Sequence, residues 1–128
     1  MTPSTNEWVV KAEGDFETVV VLRRSRKRSR YDAICFHYQQ CVEKYLKARL
    51  NEARISFSKT HDLRVLTQLL TPVEPLWTAW DPQLKSLTDF AVATRYPGLM
   101  AGVADARAAY AICLRVRATA RNSLGLRA

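Results

Sequence analysis

Apolar residues in this chain recur at intervals of three and four, and no stretch alternates with a period of two. The first spacing lines up one face of an α-helix, and a half-buried strand requires the second. Trp8, Ala12, Phe16, Val19 and Leu22 predict a first helix, opened by a capping box from Ser4 to Glu7. Gly14 lies inside it, at a cost of about 1 kcal/mol relative to Ala. A second helix, over residues 30–53, buries Ile34, Tyr38, Cys41, Val42, Tyr45 and Leu46. After a loop at 54–59, Thr60 is the expected N-cap of a third helix, with Asp62 in its first turn. Leu63, Leu66, Leu69 and Leu70 give that helix its buried face, and it ends before Pro72. Asp81-Pro82 predicts another start, with Asp as the cap and Pro at the first position, where its missing amide is not needed. Leu84, Leu87, Phe90 and Ala91 form the buried side there, and Pro97-Gly98 stops the helix. The last helix, residues 101–122, is expected to bury Val103, Ala106, Tyr110, Cys113, Leu114 and the stem of Arg117. With no internal repeat, residues 1–128 predict one all-α domain, an up-and-down bundle of four long helices plus one short helix.

The second helix carries a further pattern. Arg30, His37, Gln40, Lys44 and Lys47 also recur at three, four and seven, so a polar stripe runs beside the apolar one. A solvated face is satisfied by Glu and Lys pairs and has no need of a His and a Gln aligned with three cations. The stripe therefore reads as a buried polar network or as a ligand surface.

Composition adds boundaries. At 128 residues and 48% hydrophobic content there is material for one core, burying about two-thirds of the unfolded surface. No apolar run approaches the roughly 20 residues that span a bilayer. The opening MTPSTNEW lacks a basic region followed by an apolar one, so no secretory signal is expected and a cytoplasmic location follows. Charge is concentrated: Arg23, Arg24, Arg26, Lys27, Arg28 and Arg30 supply six units of a net charge of +8. Such a patch attracts phosphate backbones or an acidic partner, the plainer reading being a solvated interhelical turn.

Catalytic chemistry is narrowly bounded. No Gly-rich phosphate loop and no Ser-His-Asp arrangement is present. His37 and His61 are the only histidines, and no carboxylate cluster stands in for a metal site. Cys35, Cys41 and Cys113 are odd in number, lack ligand spacing and read as small buried hydrophobes. No cofactor is expected. Trp77 and Trp80, in a proline-flanked stretch, are expected to lid the core or to enter a dimer interface, with base stacking as the alternative.

Four segments in order resemble one family. His37-Tyr38-Gln39-Gln40, followed by Glu43-Lys44 and Leu46-Lys47-Ala48, is similar to the signature helix of HEPN domains (higher eukaryotes and prokaryotes nucleotide-binding). Trp8, Ala12, Asp15 and Phe16 resemble that family's first helix. Lys59-Thr60-His61-Asp62-Leu63 resembles the start of its third, and Thr94-Arg95-Tyr96-Pro97 the turn after its fourth. The resemblance covers roughly residues 6–120. It implies that His37, Gln40, Lys44, Lys47, His61, Arg95 and Tyr96 form a nucleotide-binding set. It also implies a homodimer, for which Tyr31, Phe36 and Trp80 are contact candidates, and a partner protein. That partner is a minimal nucleotidyltransferase, as in a toxin–antitoxin pair, with this chain as target or scaffold.

HEPN ribonucleases instead use an Arg and a following His, one to hold phosphate and one to move protons without metal. Arg30 with His37 and Arg54 with His61 show such a spacing. The residue after each Arg is apolar or aromatic here, however, and residues 101–128, where the family motif normally lies, contain no His. Three readings stand at this point: a nucleotide- or RNA-binding partner protein, a metal-independent ribonuclease toxin, and a non-catalytic dimeric interaction module.

Overall fold

The computed structural model describes residues 1–128 and is entirely helical. Five α-helices follow in order: α1 (Pro3–Leu22), α2 (Arg30–Glu52), α3 (Leu63–Leu69), α4 (Asp81–Ala93) and α5 (Val103–Ser123). A 3-10 turn, Pro75–Trp80, runs directly into α4. Four long helices and one short one form a helical bundle, as the apolar spacing predicts.

The bundle is organised around α2, which packs against α1, α3, α4 and α5. Twelve of its 23 residues are buried, far more than the single stripe of a surface helix. Tyr45, Leu46, Val42, Ala48 and Leu50 are fully enclosed. The core extends from Val9, Ala12 and Val19 on α1 to Cys113, Val116 and Ala120 on α5. Trp77 and Trp80 close one end of it, with ring centroids 5.2 Å apart. Both rings are buried, so Trp80 is a core residue and is not available as a dimer contact.

Several helix ends differ from the sequence expectation. Helix α1 starts at Pro3, and Thr2 rather than Ser4 is its cap, its hydroxyl accepting the Thr5 amide at 3.1 Å. Proline is well suited to that first position, which moves the cap back by two residues. Helix α3 is capped by Asp62, which accepts the Arg64 amide at 3.0 Å, while Thr60 accepts the Asp62 amide. Asp81 is already helical because the 3-10 turn leads straight into it. Its carboxylate accepts the Thr67 hydroxyl at 3.1 Å instead of capping. Helix α4 ends at Ala93, ahead of Pro97, through tight turns from Arg95 and Tyr96 to the Val92 and Ala93 carbonyls. On α5, Val103 and Leu114 face solvent. The buried stripe is Ala109, Ile112, Cys113, Val116 and Ala120, a narrow face because α5 packs chiefly on α2 and barely touches α4.

Two helices end in the same hydrogen-bonded motif with different residues. After α2, Ile55 donates to the Leu50 carbonyl and Arg54 to Asn51; after α5, Leu126 donates to Arg121 and Gly125 to Asn122. The motif places one residue in the left-handed region. That residue is Gly125 at φ 79° in one case and Arg54 at φ 58° in the other.

Candidate functional site

The polar stripe of α2 is divided between two internal carboxylates. Asp15, on the buried side of α1, faces the gap between the two helices. Its Oδ1 lies 2.8 Å from Nδ1 of His37, and its Oδ2 accepts from the Lys44 ammonium. His37 and Lys44 are two turns apart on α2, so they share a face and one acid reaches both. His37 keeps its other ring nitrogen free, and 27% of its side chain is exposed.

The second carboxylate belongs to α2 itself. Glu43 is 3% exposed and bonds Lys47 at 3.1 Å, His61 Nδ1 at 2.9 Å and the Gln39 amide at 3.3 Å. Gln39 also donates to the His61 carbonyl at 3.1 Å and accepts from Gln40 at 2.8 Å. The Lys47 ammonium, on a side chain that is also buried, lies 5.6 and 5.8 Å from the ring centroids of Trp8 and Phe57. A buried charge needs such partners, since an isolated one costs far more than a lost hydrogen bond. His61 turns its outer edge to solvent, with 73% of its side chain exposed.

The other expected residues lie apart from these groups. Arg30 donates to the Lys27 carbonyl at 2.9 Å and the Tyr31 hydroxyl at 2.7 Å, and its guanidinium covers the Tyr31 ring. Two helical turns, about 10 Å of rise, separate Arg30 from His37. Arg54 occupies the left-handed position after α2, outside the helix. Arg95 is exposed, with its guanidinium 4.9 Å from the Phe36 ring centroid, and Phe36 meets His37 edge-on at 5.2 Å. Arg95 and His37 thus flank one ring, and the Glu43 carboxylate is fully engaged elsewhere. Tyr96 is two-thirds exposed. Arg23, Arg24, Arg26, Lys27 and Arg28 are all exposed on the turn between α1 and α2.

A third cluster carries no signature in the sequence. Glu13 on α1 accepts two bonds from Arg117, at 2.8 and 2.6 Å, and one from the Tyr45 hydroxyl, with Arg121 at 3.8 Å. Burial alone would raise the Glu13 pKa. The hydrogen bonds from Arg117 and Tyr45 and the two guanidinium charges outweigh it, leaving the pKa below 4.5. The only hint in the sequence is the position of Arg117 on the buried side of its helix. The three thiols are all buried. Burial pushes Cys35 up to about 12. A hydrogen bond with Cys113 and then burial push Cys41 up as well, so neither of these two resembles a reactive thiolate.

The comparisons with known proteins agree with the four sequence segments. The profile of the HEPN domain matches residues 5–123. No curated protein and no solved structure matches the chain. No helix is long and apolar enough to cross a membrane.

Proposed function

The chain belongs to the HEPN domain family, and from that membership we propose that it is a nucleotide- or RNA-binding protein. It acts beside a separately encoded minimal nucleotidyltransferase, in a pair of the toxin–antitoxin type. The chain has no Gly-Ser turn followed by an Asp-x-Asp pair, so in such a pair it is the target or scaffold and the partner is the catalyst.

The observation that carries the binding half of this reading is the distribution of charge. Asp15 and Glu43 internally neutralise most of the polar stripe, whereas the turn at Arg23–Arg28 stands in solvent without a carboxylate partner. Free cations at that density attract a phosphate backbone. His61, Arg95 and Tyr96 remain accessible as lesser contacts. A homodimer belongs to the same proposal, supported by the exposed apolar run Val92, Tyr96, Leu99, Met100 and Val103.

Electrophoretic or anisotropy titration with single-stranded RNA at several salt concentrations is the test. Each neutralised phosphate contributes about 0.7 to the slope of log affinity against log salt. Replacing Arg24, Arg26, Lys27 and Arg28 by Ser is expected to flatten the slope. No RNA or nucleotide binding at any salt rejects the reading.

A second reading, metal-independent RNA cleavage, is favoured by one observation. The Asp15 carboxylate orients the His37 ring and leaves Nε2 free, as a general acid–base requires. RNA cleavage that persists with chelator and disappears with His37→Ala would place it first.

A further inference from the structure

Four arginines are matched to acids: Arg117 and Arg121 to Glu13, Arg49 to Glu74, Arg64 to Asp81. One cavity departs from this. Between the end of α1, the start of α2 and the start of α5 lies a space of about 210 Å³, ringed by Arg23, Arg30 and Arg107 and walled by Tyr31, Tyr38 and Tyr110. No carboxylate lines it, and no ion pair involves any of the three arginines. Arg30 is fixed by the Lys27 carbonyl and the Tyr31 hydroxyl, leaving three of its five N–H groups free. Arg23 lies 5.3 Å from the centroid of the Tyr110 ring, and Arg107 is exposed with no bonded partner.

Three guanidinium groups around one small cavity repel each other, and an anion relieves that repulsion. The fork of N–H donors suits phosphate. The space is below the roughly 300 Å³ at which drug-sized pockets begin, so one nucleotide-sized group is the limit. Three unpaired charges match a dianionic phosphomonoester better than the single charge of an internal diester. Ile34, Val103 and Ala106 complete the lining and provide an apolar wall against which a ribose or base packs. Arg23 and Arg30 bracket the basic turn, so the turn starts and ends at the rim of the cavity.

We infer that this cavity receives the terminal phosphate of a nucleotide, either a free mononucleotide or the phosphorylated end of single-stranded RNA whose backbone continues over the basic turn. The inference rests on the nucleotide- and RNA-binding reading above, and it names the part of the ligand that the protein selects.

The full chain is titrated with one oligoribonucleotide carrying a 5′-phosphate, a 3′-phosphate or hydroxyls at both ends, and separately with AMP and inorganic phosphate. A phosphorylated end is expected to bind roughly 10- to 100-fold tighter than the hydroxyl-ended oligomer, the worth of charge-assisted hydrogen bonds. Arg107→Ser, at an exposed side chain with no bonded partner, is expected to remove most of that preference and leave the melting temperature unchanged. Ser at Arg24, Arg26, Lys27 and Arg28 should weaken every oligomer alike and keep the preference. AMP competing while no oligomer binds identifies the free nucleotide as the source. RNA binding with no preference for a phosphorylated end overturns the cavity assignment and leaves the broader reading intact. Failure of every oligomer and of AMP overturns both.

Discussion

Replacing Glu43 by Ala removes the one acid that faces the buried Lys47 ammonium, and its cost can be worked from the contacts. Breaking a buried ion pair by deleting one member typically costs about 3–5 kcal/mol, because the remaining charge stays desolvated. Two features place this case near the lower end. Trp8 and Phe57 hold the ammonium within 6 Å of their rings, each contributing about 0.5–1 kcal/mol of compensation. His61, mostly in solvent, loses little when its partner goes. The expected loss is therefore about 3 kcal/mol, against a total of roughly 6–15 kcal/mol for a domain of this size.

The protein should still fold, so urea unfolding followed by helical circular dichroism can measure the loss, with an unchanged m-value showing that the transition remains two-state. Glu43→Leu combined with Lys47→Met removes both charges and is expected to come within about 1 kcal/mol of the wild type, since apolar replacement of a buried pair is often neutral. The double-mutant cycle should then give a coupling energy of about 2 kcal/mol or more. A loss below about 1 kcal/mol for Glu43→Ala, or a double mutant equal to the sum of its singles, would refute the description of this pair as a buried, mutually dependent one.

His37→Ala is expected to lower stability by only about 1 kcal/mol and to leave RNA affinity unchanged, because Lys44 still neutralises Asp15. A large drop in affinity would return the stripe to its role as a ligand surface. Glu13 has a depressed pKa in the folded state, so its contribution is present above the unfolded value near 4.5 and is lost as pH falls through the folded value. Glu13→Gln should therefore shrink the acid-induced drop in melting temperature below about pH 4.5, and an identical pH profile would contradict this. Gly14→Ala should stabilise α1 by up to about 1 kcal/mol, because an added methyl meets nothing within 4 Å. Arg54→Gly should gain up to about 1 kcal/mol by relieving the left-handed backbone, and a lower melting temperature in either variant would count against these backbone assignments. Cys35, Cys41 and Cys113 should be silent to a thiol reagent until denaturant is added.

The sequence makes some of these features visible and hides others for definable reasons. Helix α2 is legible because it is buried on several sides, which writes a dense apolar pattern. Caps are displaced by about two residues because Thr2 and Ser4, or Thr60 and Asp62, present equivalent oxygens, and only backbone geometry chooses between them. Val103 and Leu114 fit a helical spacing equally well, yet lie outside the narrow stripe that α5 buries. The stripe of His37, Gln40, Lys44 and Lys47 is visible as an anomaly, but its resolution depends on Asp15, from another helix, and on the burial of Glu43 beside Gln39 and Lys47, which spacing alone does not show. The arginine-lined cavity is beyond reach from spacing, since Arg23, Arg30 and Arg107 come from three separate segments.

These polar groups also explain how α1 finds its register on α2. Apolar contact is non-directional, and a face of Val9, Ala12 and Val19 alone would tolerate sliding along the partner helix. Three polar ties oppose it. The Thr5 hydroxyl donates to Glu52 at 2.9 Å, Glu13 meets Tyr45, and Asp15 meets His37 and Lys44. A shift of one turn would break all three and strand Asp15 and Thr5, both buried, without partners, at about 1–3 kcal/mol for each orphaned group and more for the charge. The same register brings the last residues of α1 beside the start of α5, where Arg23 meets Tyr110. The internal carboxylates that hold α1 in place thereby position an arginine at the rim of the cavity, and they do so by consuming the cations of the stripe and leaving those of the turn free.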